Sequence, residues 1–446
     1  MKSGTIVLTG LLALLSPAGA LAQGPAREPD TSDLQRQLQE MRSQMDRMQS
    51  RIDELERAQA NFGTNPRAQP AAQNQPGPSV GPTPPRAKPS DSPKPPPRPA
   101  GTFGSGPWVF TLGGYIKLDL IHDFDAIGST DSFNPRTIPA DGIPGTNTRF
   151  NASETRLSLG IVGPVEGRDL KFFVEGDFYG TASAFRLRHA YAEYGPLLAG
   201  QTWTTFMDEA NIPHTIDFET PLAAPLVRQG LLRLTARPSK RTELALGIEE
   251  SDPEVLPPPG VEGKTEKTLP DFAGRFRFTN GRGHVHLSGF VGRTRFRPNK
   301  GEPTDVTIYG GLASARFRTL SRDAAYAQVG YGPGLGRYRG AVSAAPDAAG
   351  RLKAVKVMAL TLGYERYWAS RWSSNFVASP AWVLSDLGDP ATSNRRLDYV
   401  AANLRYWFLA ERAWLGGEYL YGLREVRSRD RGSANRLQFA VRFNIP

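Results

Sequence analysis

The chain has no cysteine among its 446 residues, so neither disulfides nor thiolate metal sites can hold it together. Beyond the first two dozen residues there is no run of eighteen apolar side chains, and at 39% hydrophobic residues the chain is too polar for a bundle of membrane-spanning helices. Histidine is scarce, with five residues, and no serine lies in a recognisable nucleophile motif. His284 and His286 share one face of a segment without an evident third ligand. The glycines from Gly330 to Gly336 lack the following helix that a phosphate-binding loop requires. No catalytic residue, metal site or cofactor is therefore expected; a phospholipase or protease using His214 as base is a minor alternative. The net charge of +10 raises nucleic acid as a partner, but the basic residues are dispersed and the chain carries an export signal, so none is expected.

That signal occupies residues 1–22. Lys2 precedes an apolar stretch from Ile6 to Leu15, and Ala20, Leu21 and Ala22 form a small-residue cleavage pattern ahead of Gln23. Residues 23–57 carry Leu34, Leu38, Met41, Met45, Met48, Ile52 and Leu55, alternately four and three apart. This is a coiled-coil seam, marginal as a solitary helix in water and therefore expected to self-associate. Residues 58–106 are rich in Pro, Ala, Gln and Lys and read as a disordered, semi-extended spacer.

From 107 to 446 one theme recurs: segments of about ten residues with alternating apolar and polar side chains, separated by turn signals. In GGYIKLDLI, Ile116, Leu118 and Leu120 oppose Tyr115, Lys117 and Asp119; in the last segment Leu437, Phe439, Val441 and Phe443 oppose Arg436, Gln438 and Arg442. Sixteen segments start near 108, 149, 168, 184, 197, 226, 241, 271, 284, 306, 322, 354, 370, 395, 412 and 434. Connections after even segments are short, such as VGPVEGR and TNGRG; those after odd segments are mostly longer, including Asp123 to Thr148, Glu250 to Pro270, Gly332 to Lys353 and Arg424 to Ser433. A soluble sandwich does not predict that asymmetry, whereas an even-stranded membrane barrel with both ends periplasmic does. Trp368, Trp372, Tyr406 and Trp407 beside a short turn fit an interfacial aromatic girdle. The expected fold is all-β, a 16-stranded antiparallel transmembrane β-barrel with an aqueous lumen, preceded by the coiled coil and linker.

If the apolar face meets lipid, the other face decides what passes. Lys117, Arg156, Arg186, Arg188, Arg233, Arg275 and Arg277 are the expected channel-lining, anion-binding residues, with Arg405, Arg436 and Arg442 on the same face. The alternative is that these cations form wall ion pairs with Asp119, Glu175, Asp177 and Glu243 and set no preference. The connection at about 207–225 is long and acidic, with Asp208, Glu209, His214, Asp217 and Glu219. Folded inward, it would narrow the channel and set its acids against the arginine wall, a transverse field. The function expected is passive diffusion of small anionic solutes. Alternatives are a sugar or general diffusion porin using Tyr115, Tyr191, Trp203 and Phe206, or a structural barrel tethering the coiled coil to peptidoglycan through a linker bearing Lys88, Lys94 and Arg98.

The order of signal, heptad helix and proline-rich linker, followed by GGYIKLDLIHDFD, ASETRLSLG, RLRHAYAEYG, LLAGQTWTTFMD and IPHTIDFETP, resembles the DcaP-like outer-membrane porins of Gram-negative bacteria. The resemblance implies a homotrimer of sixteen-stranded barrels in the outer membrane, in contact with its lipid and lipopolysaccharide, with periplasmic coiled coils and negatively charged solutes such as dicarboxylates. It marks Arg186 and Arg188 as channel-lining and Gln201 to Pro221 as the constriction region. The chain departs from the usual pattern by ending FNIP, where outer-membrane barrels usually end in an aromatic residue.

Overall fold

The computed structural model describes residues 101–445, apart from 386, 388–390 and 411. The expected signal segment, the coiled coil and most of the linker lie outside those residues. The last linker residues, Thr102–Ser105, pair antiparallel with Trp108 to Thr111 as a short hairpin.

The alternating segments become sixteen barrel strands. They are β1 (Trp108–Asp123), β2 (in two pieces, Asn147–Asn151 and Arg156–Val165), β3 (Arg168–Asp177), β4 (Arg186–Tyr194), β5 (Leu197–Trp203), β6 (Arg228–Ser239), β7 (Thr242–Glu249) and β8 (Asp271–Asn280). The second half comprises β9 (Gly283–Pro298), β10 (Thr304–Arg318), β11 (Ala324–Pro333), β12 (Lys356–Tyr367), β13 (Trp372–Val383), β14 (Asn394–Leu409), β15 (Ala413–Val426) and β16 (Arg431–Asn444). Neighbours pair antiparallel throughout, and β16 returns to β1 with Tyr115 opposite Asn444 and Asp123 opposite Arg436. Closure leaves no barrel edge with unsatisfied backbone groups, which is the condition for crossing a membrane.

Burial is inverted relative to a soluble protein. Along β1, Lys117, Asp119 and Asp123 are buried while Ile116 and Leu118 are exposed, and Leu246 and Phe439 likewise face outward on β7 and β16. The period-2 pattern thus puts apolar side chains toward lipid and polar ones toward the lumen.

One end of the barrel carries the tight turns 166–167, 195–196, 240–241 and 281–282, the other the long loops 124–146, 204–227, 250–270 and 334–355. In the turn at Gly195 and Pro196 the glycine adopts φ 59°, a left-handed conformation that glycine accepts without strain. The expected long connection from Arg424 to Ser433 shrinks to 427–430, because β15 and β16 run on through its flanks. Within β2 the ladder breaks at 152–155, where the Ser153 N–H bonds the Asn151 side chain and Thr155 N–H bonds Ala152 O. The break drops Glu154 into the lumen beside Lys117 and Tyr115.

Candidate solute channel

The fifth connection enters the lumen, as its acids and length suggest, and its course is set by a series of tethers. Glu249 at the end of β7 accepts bonds from Thr204 Oγ1 and Thr205 N, 2.5 and 2.6 Å, and Arg233 donates to Thr205 Oγ1 at 2.9 Å. Phe206 packs edge-on against Phe290 and beside Tyr338. Asp208 is held by Arg277 on β8, His284 Nε2 on β9 at 2.8 Å and Ser314 Oγ on β10 at 2.6 Å. Farther along, Asn211 donates to Ala327 O on β11 at 3.0 Å, and Asn403 on β14 donates to His214 O at 2.9 Å. The Ile216 and Asp217 N–H groups reach Glu418 on β15 at 2.9 and 2.6 Å, Lys117 bonds Ile216 O, and Leu222 N–H bonds Ser379 on β13 at 2.9 Å. The loop is therefore tethered to strands around most of the wall, and the cavity left beside it is lined mainly from β1–β6, with Arg405, Trp414 and Arg442 added from β14–β16.

The loop 124–146 locks onto it. Both Asp217 oxygens accept from Phe133 N–H at 3.1 and 3.0 Å, and the buried Arg436 spans Asp123 (2.6 Å), Asp217 (3.4 Å) and Ser129 O (3.1 Å). Burial pushes the Asp217 carboxyl up to about 7, against the opposing pull of Arg436 and the Phe133 N–H.

What remains open is a polar cavity of about 1000 Å³. Its lining carries ten cationic side chains against six carboxylates. The wall supplies Lys117, Arg156, Arg186, Arg188, Arg228, Arg405 and Arg442, the loop 124–146 supplies Arg136, and the loop 334–355 supplies Arg337 and Arg339. Their states differ. Arg186 makes a two-pronged bond to Asp177, 2.9 and 2.8 Å, and Arg188 bridges Glu175 and Asp177 at 2.8 and 2.9 Å. Arg228 has no ion pair among the described residues; its guanidinium lies 4.7 Å from the Trp203 ring centre, and Nη1 has no hydrogen-bond partner. The aromatic pair Tyr179 and Phe218, stacked at 4.1 Å, joins the inward loop to the β3 side and sits under Arg186 and Arg188.

A model of the DcaP outer membrane protein family matches residues 109–445. The chain belongs to the DcaP outer membrane protein family. Among solved structures it is similar to the outer membrane channel DcaP of Acinetobacter baumannii, at 21% identity with a TM-score of 0.69, covering 77% of this chain and 99% of that one. It is similar in fold to OmpT of Vibrio cholerae, at 12% identity and TM-score 0.51 over 77% of this chain and 100% of that one. It is also similar to OmpF of Salmonella typhi, at 11% identity and TM-score 0.51 over 77% and 99%. No curated protein sequence matches. The DcaP-family chain is thus a porin of the bacterial outer membrane, a channel and not an enzyme.

Of the seven expected lining cations of this porin, Lys117, Arg156, Arg186 and Arg188 do line the cavity. Arg233, Arg275 and Arg277 face the lumen but are not part of the lining: Arg233 braces the start of the inward loop, Arg275 pairs with Glu243 at 2.8 Å, and Arg277 holds Asp208. Within the loop, Glu209, His214 and Glu219 line the cavity, whereas Asp208 is turned into the wall as an anchor. Asp217 contributes to the lining while spending its oxygens on Phe133 and Arg436. The transverse field expected from acids facing arginines is correspondingly reduced, since Glu219 also pairs with Arg339 at 3.0 Å. Asp119, Glu175, Asp177 and Glu243 do each hold a cation, so wall pairing coexists with an excess of positive charge.

Arg228, Arg136, Arg337 and Arg339 had no alternation signal to reveal them. Arg228 opens β6 immediately after an apolar stretch, and the other three lie in loops, where side-chain direction has no period.

Proposed function

We propose that this porin conducts small anionic solutes passively, with dicarboxylates as the favoured class. The observation that carries the reading is Arg228: a guanidinium in the channel wall, stacked on Trp203, with no ion pair among the described residues. Arg186 and Arg188 already hold carboxylates in the geometry a solute carboxylate would adopt, whereas Arg228 has donors to offer. A dicarboxylate bound there by one end has Arg156 and Arg188 within the same cavity for the other.

The sugar reading is weaker on a geometric ground. Tyr115 and Trp203, which could stack a pyranose, are covered by Arg442 at 3.5 Å and Arg228 at 4.7 Å, Tyr191 leans on Phe173 at 5.6 Å, and Phe206 is buried away from the cavity.

The test is reversal potential in planar bilayers under a salt gradient, with succinate entry into liposomes compared to a neutral sugar of similar size. Anion preference is expected, falling roughly twofold or more in Arg228→Ala; cation preference in the unmodified protein would sink the reading. We further propose a homotrimer, expected to migrate in unheated detergent gels at three times the chain mass and to collapse to monomer on heating. The tethering role assigned to residues 23–100 is tested by loss of peptidoglycan co-sedimentation on their deletion.

A further inference from the structure

Beside the polar channel lies a second chamber of about 60 Å³, with room for roughly four to six water-sized groups. Its walls are of the opposite character. Leu222 from the inward loop, Ala359 of β12, Ala381 of β13 and Leu397 of β14 turn carbon toward it. These strand positions belong to the lumen-facing set, and Leu222, Leu397 and Ala381 continue a buried apolar cluster with Val377, Tyr399 and Ala401, so one sector of the barrel interior presents carbon while the channel beside it is charged.

Two cations belong to both spaces, for Arg136 and Arg339 line the chamber and the channel alike. Arg339 is committed, bonding Ala224 O at 3.1 Å and Glu219 at 3.0 Å. Arg136 is half-buried and has no ion pair among the described residues; desolvation and the neighbouring Arg339 lower its pKa to about 10, which leaves it charged at neutral pH. A charged donor at the border of an apolar recess is complementary to a ligand with an anionic head and a short hydrocarbon tail.

We propose that this chamber is a binding site for short aliphatic monocarboxylates, the carboxylate on Arg136 at the channel border and the chain lying against Leu222, Ala359, Ala381 and Leu397. The proposal deepens the anion reading and rests on it for access through the channel. It differs in chemistry from a dicarboxylate site, because the other two arginines of the lining, Arg395 and Arg396, are already paired with Glu425 and Asp398, and a second carboxylate among Leu222, Ala359, Ala381 and Leu397 would be desolvated without a free partner.

The experiment is block of single-channel chloride current by acetate, butanoate, hexanoate and decanoate, with adipate and 1-hexanol as controls. Each buried methylene is worth about fourfold in affinity, so the blocking constant falls about sixteenfold from butanoate to hexanoate and levels off by decanoate. Hexanoate outcompetes both adipate, whose second charge is excluded, and hexanol, which lacks the head group. Ala381→Phe, which fills the chamber, weakens hexanoate block at least tenfold and leaves succinate block unchanged. A blocking constant that does not vary with chain length, or adipate or hexanol blocking as well as hexanoate, overturns the proposal. The native chain-length series decides even where the variant fails to fold. Failure of the anion reading is distinguished by its own readout, since reversal potential reports selectivity independently of block.

Discussion

Asp177 illustrates how one carboxylate sets the availability of two arginines. It is fully buried and accepts from both Arg186 and Arg188, so these cations hold each other's partner and present less free charge than their number suggests. Asp177→Asn keeps the shape but removes the charge, and is expected to raise the anion-to-cation permeability ratio measured by reversal potential. No change would mean that these arginines do not face the permeating ion. Asp217 gives a pH dependence with a definite sign. Its carboxyl is raised from an ordinary 3.8 to about 7, with burial the leading cause, so its ionised form is the less favoured one in the folded barrel. Its stabilising contribution is full below about pH 4 and is lost as pH rises through about 7. Asp217→Asn, uncharged at all pH, is expected to flatten that part of a pH-resolved thermal unfolding profile.

At the level of the element, the inward loop is a strap fixed by side chains from opposite parts of the wall. Its most concentrated anchor is Asp208, which joins β8, β9 and β10 through Arg277, His284 and Ser314. Removing one partner of a buried charged cluster costs about 3–5 kcal/mol, because the remaining charge is left without compensation. Asp208→Ala is therefore expected to release the start of the loop, giving larger and noisier single-channel conductance in bilayers while the barrel still inserts. A conductance trace indistinguishable from the native one would show that the remaining tethers suffice. The His284 and His286 pair also acquires a role at this scale. Their common strand face brings His284 onto the loop's Asp208, and the sequence could not show this because the contacting residues lie 76 positions apart.

For the whole molecule, the governing fact is that the apolar face is the outer one. Leu246 is 72% exposed at the middle of β7 and faces lipid once the barrel is inserted. Leu246→Arg is expected to cost ~2–4 kcal/mol, read as a lower midpoint in denaturant-driven unfolding from lipid vesicles.

The sequence by itself determined the barrel: strand number, approximate starts, the alternation of turns with loops, and the face carrying Lys117, Arg156, Arg186 and Arg188. These are consequences of a period of two imposed by lipid on one side and water on the other, and a local period is readable from a chain. It also marked the acidic loop, through its length and charge. Tertiary structure alone decided which charges remain available. Asp208 faces the wall and Glu209 the cavity although they are adjacent, because loop side chains obey no period and are directed by partners far along the chain, such as Arg277 and Ser314. The same holds for Arg186 and Arg228, alike as residues. Asp177 meets Arg186 across the β3–β4 register, and no carboxylate meets Arg228 among the described residues, a distinction that exists only once the strands are paired.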